Sequence, residues 1–188
     1  MEGGSTIASA LSTGPNNEIF VGGYYNIIMQ DSNGVFLPFG RKRDGFLAKL
    51  LPNGTQSWIK TFQGAGNDNV GALESSSEGS VWAAVELEKE NKETRNIQIA
   101  GQTIEENGQS LQLLVEIDGQ GNVLNHSVVS RGGDMSLSSL VKVPGGLVGV
   151  GKTGAVENMG GNSLKSGEFI SKFNDSGNVV YAKNSSAG

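Results

Sequence analysis

The sequence predicts an all-β protein built from many short strands. Three observations carry this. Single glycines, 29 in 188 residues, punctuate the chain; Val, Ile, Leu and Phe fall in short regular clusters; and no apolar helical period exceeds about two turns. Glycine at about twice its usual share, with no collagen period, reads as turn punctuation. The length suits one sizeable domain, residues 1–188, and is short for two.

Each element follows from a repeat. "FLAKLLPNGTQSW" (46–58), "LLVEIDGQGNVLN" (113–125) and "FISKFNDSGNVVY" (169–181) align on Gly54, Gly121 and Gly177. Each copy is a strand, a turn whose glycine supplies positive φ, and a second strand; these are strand positions C and D. Before them lie "NEIFVGG" (17–23), "GSVWAAV" (79–85) and "GGLVGVG" (145–151), position B. Position A is rich in small residues: "TIASALSTG" (6–14), "VGALESSSE" (70–78) and "LSSLVKVPG" (137–145). The order A-B-C-D therefore occurs three times, at a period of roughly 60 to 66 residues. Four-stranded antiparallel sheets repeated in series mean a radial β-propeller arrangement, with approximate blades 3–64, 65–131 and 132–188. Ala8, Ala10, Gly71, Ala72, Ser138 and Ser139 suit the crowded inner strand. Ile19, Val21, Phe46, Val81 and Leu113 fill the space between sheets, and Trp58 and Tyr181 cover its outer edge.

The stretch "DGFLAKLLPNGTQSWIKTFQGAGNDNVGAL" resembles the bacterial β-propeller repeat family known as SBBP, whose pattern runs D-x-F-x-A-K-L-x-x-N-G-x-x-x-W-x-K-x-F-G-G-x-G-N-D. "IQIAGQTIEENGQSLQLLVEIDGQGNVL" and "VENMGGNSLKSGEFISKFNDSGNVVYAK" resemble it in order. Glu116 replaces the strand-C lysine kept as Lys49 and Lys172, and Asn125 replaces the aromatic. The resemblance implies an exported or cell-surface bacterial protein, and no single activity.

Closed rings usually hold four to eight blades. Three closures are compatible with three: two copies joined head to tail in a six-bladed ring, an excised half whose missing blades lie on a longer chain or partner, or a self-sufficient open domain. In the open form Ile7, Ile19, Phe20, Val148, Phe169 and Ile170 would be exposed at the flanks.

The net charge of −5 and a pI near 4.9 leave no basic stripe, so nucleic acid is not an expected partner. Arg41-Lys42-Arg43 reads as a solvated loop tip. No cysteine is present, which excludes thiol catalysis, disulfides and Cys-based zinc sites. "MEGGSTIASAL" lacks a basic n-region and an apolar core, and no run approaches the ~20 apolar residues that span a bilayer as a helix; membrane insertion is not expected. The chain reads either as cytosolic or, the reading the repeat favours, as a fragment of a longer exported protein with a start Met added.

Strands B and C are joined by long segments, which emerge on the same face as the D–A links. Loops on a rigid scaffold are where binding resides. This face carries the candidate ligand residues: Tyr24, Tyr25, Asp31, Arg41 and Arg43 from the first segment, and Asp68, Arg131 and Asp134 from the links. The second segment adds the charged "ELEKENKETR". Tyr, Arg and Asp together suit polar or sugar-like ligands; the same segments can instead form extra strands on the rim. His126 is the single histidine, at an ordinary strand-D position. "DSNG" (31–34) and "DGQG" (118–121) lack the carboxylate ladder calcium requires, and "GVGKTG" (149–154) lacks the Walker spacing. No metal, cofactor or catalytic residue is assigned. The expected function is a non-catalytic surface or secreted module for adhesion, glycan or surface-protein binding, or assembly. The alternative is an accessory propeller segment of a larger secreted enzyme.

Overall fold

The computed structural model describes residues 5–38, 42–64, 66–88, 96–99, 102–105 and 110–185, and among these there is no helix. The first sheet is β1 (Thr6–Thr13), β2 (Ile19–Tyr25), β3 (Asp44–Leu50) and β4 (Gln56–Phe62), hydrogen-bonded in chain order. β5 (Asn69–Ser75) and β6 (Val81–Leu87) open the middle sheet, and β7 (Asn96–Ile99) and β8 (Gln102–Glu105) form a separate hairpin. β9 (Leu111–Ile117) and β10 (Val123–Arg131) complete the middle four. The last sheet is β11 (Met135–Val143), β12 (Gly146–Thr153), β15 (Gly167–Phe173) and β16 (Val179–Asn184). Between β12 and β15 the chain forms β13 (Glu157–Met159) and β14 (Asn162–Leu164), and β13 joins the edge of β10 through Ser130 and Met159. The middle sheet therefore has six strands where four were expected, in the order β14-β13-β10-β9-β6-β5. All pairings are antiparallel.

The ladder makes the threefold repeat residue-specific. Leu11 lies opposite Val21, Leu73 opposite Ala83, and Leu140 opposite Gly149. A bulge interrupts each inner strand at the same place, between Ala8 and Ala10, Val70 and Ala72, and Leu137 and Ser139. Each C–D turn closes on a glycine with φ of 77–89°, a region closed to residues with a Cβ except at a cost. Asp118 Oδ1 accepts from the N–H groups of Gln120 and Asn122, both at 2.8 Å, and Asn174 Oδ1 does the same for Ser176 and Asn178.

Because side chains alternate across a strand, every sheet has two faces. In the middle sheet Val81, Ala83, Val85, Leu113 and Val115 face the first sheet and meet Phe20, Leu47 and Phe62 there. Its other face carries Trp82, Ala84 and Leu114, which meet Leu137, Leu147, Phe169 and Phe173 of the last sheet. β5 packs against β1 on one side and β11 on the other, so the small-residue strands lie side by side. Phe20 and Phe169, expected at the open flanks, are instead buried, because each points inward across a joint. The stack stays open at both ends: Leu11 is 68% exposed although Leu73 and Leu140, at the same position, are buried, and Ile170 is 36% exposed where Leu47 and Leu114 are buried.

Each joint also has polar and aromatic locks. Trp58 Nε1 and Lys49 Nζ, from the first sheet, both donate to the carbonyl of Gly119 at 3.1 Å. The Trp58 indole covers Gly121, where an added Cβ would lie 3.2 Å from it. At the second joint the Trp82 indole covers Gly177, with 2.8 Å to such a Cβ, and Ser127 Oγ donates to the Gly177 carbonyl. Lys49 is buried against Glu18 at 3.1 Å. Burial pushes the Glu18 carboxyl up, but hydrogen bonds from the Asn16 and Glu18 backbone and from Lys49 outweigh it and hold the group at about 2. In the middle unit the lysine position is Glu116, and Ser80, aligned with Glu18, donates to it at 2.9 Å.

Two outcomes follow from these locks. Gly54→Ala is expected to cost about 1–2 kcal/mol from the positive φ alone, because nothing lies within 4 Å of its Cβ position. Gly177→Ala should cost more, since the same strain is joined by the clash with Trp82; urea unfolding of the two variants checks the order. For Glu18, the unfolded chain binds the proton more tightly than the folded one between about 2 and 4.5. Its contribution is present above 4.5 and lost as pH falls toward 2. Glu18→Gln should flatten that acid limb in a series of denaturation midpoints.

Candidate functional site

The ends of β2, β6, β9 and β11 converge with the D–A links on a cavity of about 420 Å³. Tyr24 comes from the end of β2, and Arg43 immediately precedes β3; the guanidinium sits 4.6 Å from the ring centroid. Asn67, Asp68 and Asp134 come from the links, and Glu86, Glu88 and Gln112 from the middle unit. The lining is therefore rich in hydrogen-bond acceptors.

The links are held by backbone hydrogen bonds. Asp68 is fully buried; its carboxylate accepts from the Gly64 N–H and, at 3.0 Å, from the Glu88 N–H, while its own N–H donates to the Arg43 carbonyl at 2.9 Å. Glu88 Oε2 accepts from the Asn67 N–H at 3.0 Å. Gly132 N–H donates to the Ser110 carbonyl at 2.8 Å, and Gly154 N–H to the Asp134 carbonyl at 3.1 Å. Next to this link Glu157 fills the space over Gly133, where a Cβ would collide with its carboxylate. Burial and the nearby Asp134 push the Glu157 carboxyl up.

Glu86 and Gln112 face each other directly across the β6–β9 ladder. Burial, with the charge of Glu88 adding to it, pushes the Glu86 carboxyl up to about 7 despite hydrogen bonds to Asn69 and Ser136. Gln112 is buried, and its Nε2 donates to the carbonyls of Val85 at 3.1 Å and Leu113 at 3.3 Å. That leaves Oε1 as the buried side-chain polar atom without a partner among the described residues. A buried acceptor left empty costs on the order of 1–3 kcal/mol, and native proteins hold few of them. No group of three or more His, Cys, Asp or Glu among the described residues is arranged to hold a metal ion.

Of the residues expected from sequence, Tyr24, Arg43, Asp68 and Asp134 line this one cavity. Tyr25 does not: it points to the opposite face of β2, is fully buried with Phe46, and donates its hydroxyl to the Pro38 carbonyl. Asp31 closes a turn, accepting from the N–H groups of Asn33 and Val35 at 2.8 and 2.9 Å. The Val35 N–H, with that of Asn33, holds its carboxyl below the usual range. Its oxygen is thus committed to the backbone, as is that of Asp118 in the other calcium-like stretch. Arg131 reaches the Glu105 carbonyl at 2.8 Å, away from the cavity lining. Arg41 and residues 89–95 of the charged second segment lie outside the described residues. His126 sits on β10 opposite Val115 and lines neither this cavity nor a second one, of about 700 Å³, between β4 and the β7–β8 hairpin.

Sequence reasoning gave Glu86 only as the first residue of the charged second segment, and it missed Gln112. The signal was there: "LQLLV" carries one amide inside an otherwise apolar run, and Glu86 stands opposite it in the ladder. No protein-family model matches this chain, and no curated protein matches it either.

The Glu86 shift has a measurable consequence. Its folded-state value of about 7 lies above the ordinary 4.5, so the folded protein binds the proton more tightly. Stability from this group is complete below 4.5 and declines as pH rises to about 7. Glu86→Gln should remove that decline in denaturation midpoints measured from pH 4.5 to 8.

Proposed function

We propose that this chain is a non-catalytic binding module on a propeller-type scaffold, and that the cavity at the sheet ends takes a polyhydroxyl ligand of glycan type. The observation that carries it is a cavity whose lining is mostly acceptors, beside which the buried Oε1 of the lining residue Gln112 has no partner among the described residues. A ligand rich in O–H donors complements an acceptor-rich lining, and the Tyr24 ring offers an apolar edge for a sugar face. The three sheets support the scaffold reading: each contains four strands hydrogen-bonded in the order A-B-C-D, the middle one with two more at its edge, and the A strands lie together. The likeness of the repeat to the SBBP family supports an exported or cell-surface setting. It is equally compatible with an accessory segment of a larger secreted enzyme.

The test is calorimetry of the purified chain against neutral, acidic and amino glycans. Binding without turnover is expected. Asp134→Ala and Tyr24→Ala should each weaken it about tenfold or more, about 1.4 kcal/mol, with unchanged thermal melting. His126→Ala should bind as the parent does. Affinity should rise as pH passes through about 7, where Glu86 becomes a charged acceptor. Failure to bind any of the three glycan classes would sink the reading. Hydrolysis abolished by Glu86→Gln would replace it with an enzyme.

A further inference from the structure

The two joints inside the chain define what a unit needs on each side, and the outer units lack one side each. The leading side of the first unit presents Leu11 at the position where Leu73 and Leu140 are buried against the unit before them. Gly54 has nothing within 4 Å of its Cβ position, whereas Gly121 lies under Trp58 and Gly177 under Trp82. The segment after β2 folds Met29 and Leu37 onto Phe46, and its Gln30–Phe36 bridge leaves Phe36 65% exposed. In the other two units the equivalent segments form hairpins, β7–β8 and β13–β14, whose Ile97, Ile99, Met159 and Leu164 join the apolar clusters between the sheets.

The trailing side of the last unit is the complementary half. Val150 and Ile170 are exposed where Gly22 and Leu47, or Ala84 and Leu114, are covered by the next unit. Lys172 and Tyr181 stand at the positions of Lys49 and Trp58, the two groups that lock the first joint onto the following C–D turn. Lys152 and Glu168 alternate onto this side at its end, while its centre keeps Val148, Val150 and Ile170.

We propose that a second copy of this chain fills the gap head to tail, the leading side of its first unit seating on the trailing side of the last unit here. The contact repeats the internal joint a third time: Tyr181 and Lys172 lie over the Pro52–Gly54 turn of the other copy, and Ile170 packs towards its Leu11. The interface is heterologous, using different patches on the two copies. It is separate from the cavity, so association and glycan binding are read independently.

Light scattering on the purified chain should give a mass near twice 19.6 kDa. Leu11→Glu spoils the leading side and Ile170→Glu the trailing side, both at exposed positions that leave the single chain folded. Each variant alone should run as a monomer. Mixed in equal amounts, they should pair, because the Leu11→Glu chain keeps an intact trailing side and the Ile170→Glu chain an intact leading side. A parent chain monomeric at high concentration overturns the proposal, and so does a dimer that survives both substitutions. Failure of the mixed variants to pair overturns it too, since a self-complementary interface would behave in that way.

Discussion

Everything in this molecule depends on one constraint: a β-sheet that is apolar on both faces has to be covered on both. The middle sheet meets it completely, with Val81, Val85, Leu113 and Val115 on one side and Trp82 and Leu114 on the other. Periodicity across the strand then decides which neighbour each side chain belongs to. At about 25 cal/mol per Å² of apolar area, these faces outweigh every polar contact in the joints. The hydrogen bonds at Gly119 and Gly177 select register and order; the apolar faces supply the driving force.

The turn glycines, the strand order and the all-β class were legible because each depends on local residues. Gly54, Gly121 and Gly177 mark turns that a reader can align without knowing what packs on them. Which flank residues are exposed was not legible. Phe20 and Phe169 sit next in sequence to residues on the opposite face, and only the direction of the stack tells which face meets a neighbour. The recurrent bulge in β1, β5 and β11 was invisible for a related reason, since one extra residue leaves no mark in composition.

The site was half legible. Residues in the links and at strand ends were found because such places gather polar side chains, and four of those expected line one cavity. Tyr25 failed because alternation turns it away from Tyr24 into an apolar cluster. Asp68 lines the cavity, yet its carboxylate is occupied by the backbone it braces. Glu86 and Gln112 carry the more telling chemistry; Glu86 was legible only as the start of a charged segment, and Gln112 was hidden inside an apolar strand.

The attachment of β13 to β10 ties the completion of one sheet to residues made later. Ser130 leaves the ribosome well before Met159, so the outer edge of the middle sheet stands open while some 30 further residues are synthesised. An open edge is a template for pairing with other chains. Translation speed across the 131–159 stretch therefore bears on yield: a pause there lengthens the interval in which β10 can capture a strand from another nascent chain. The short β13–β14 hairpin is then a late-arriving guard, which also brings Met159 and Leu164 to the core.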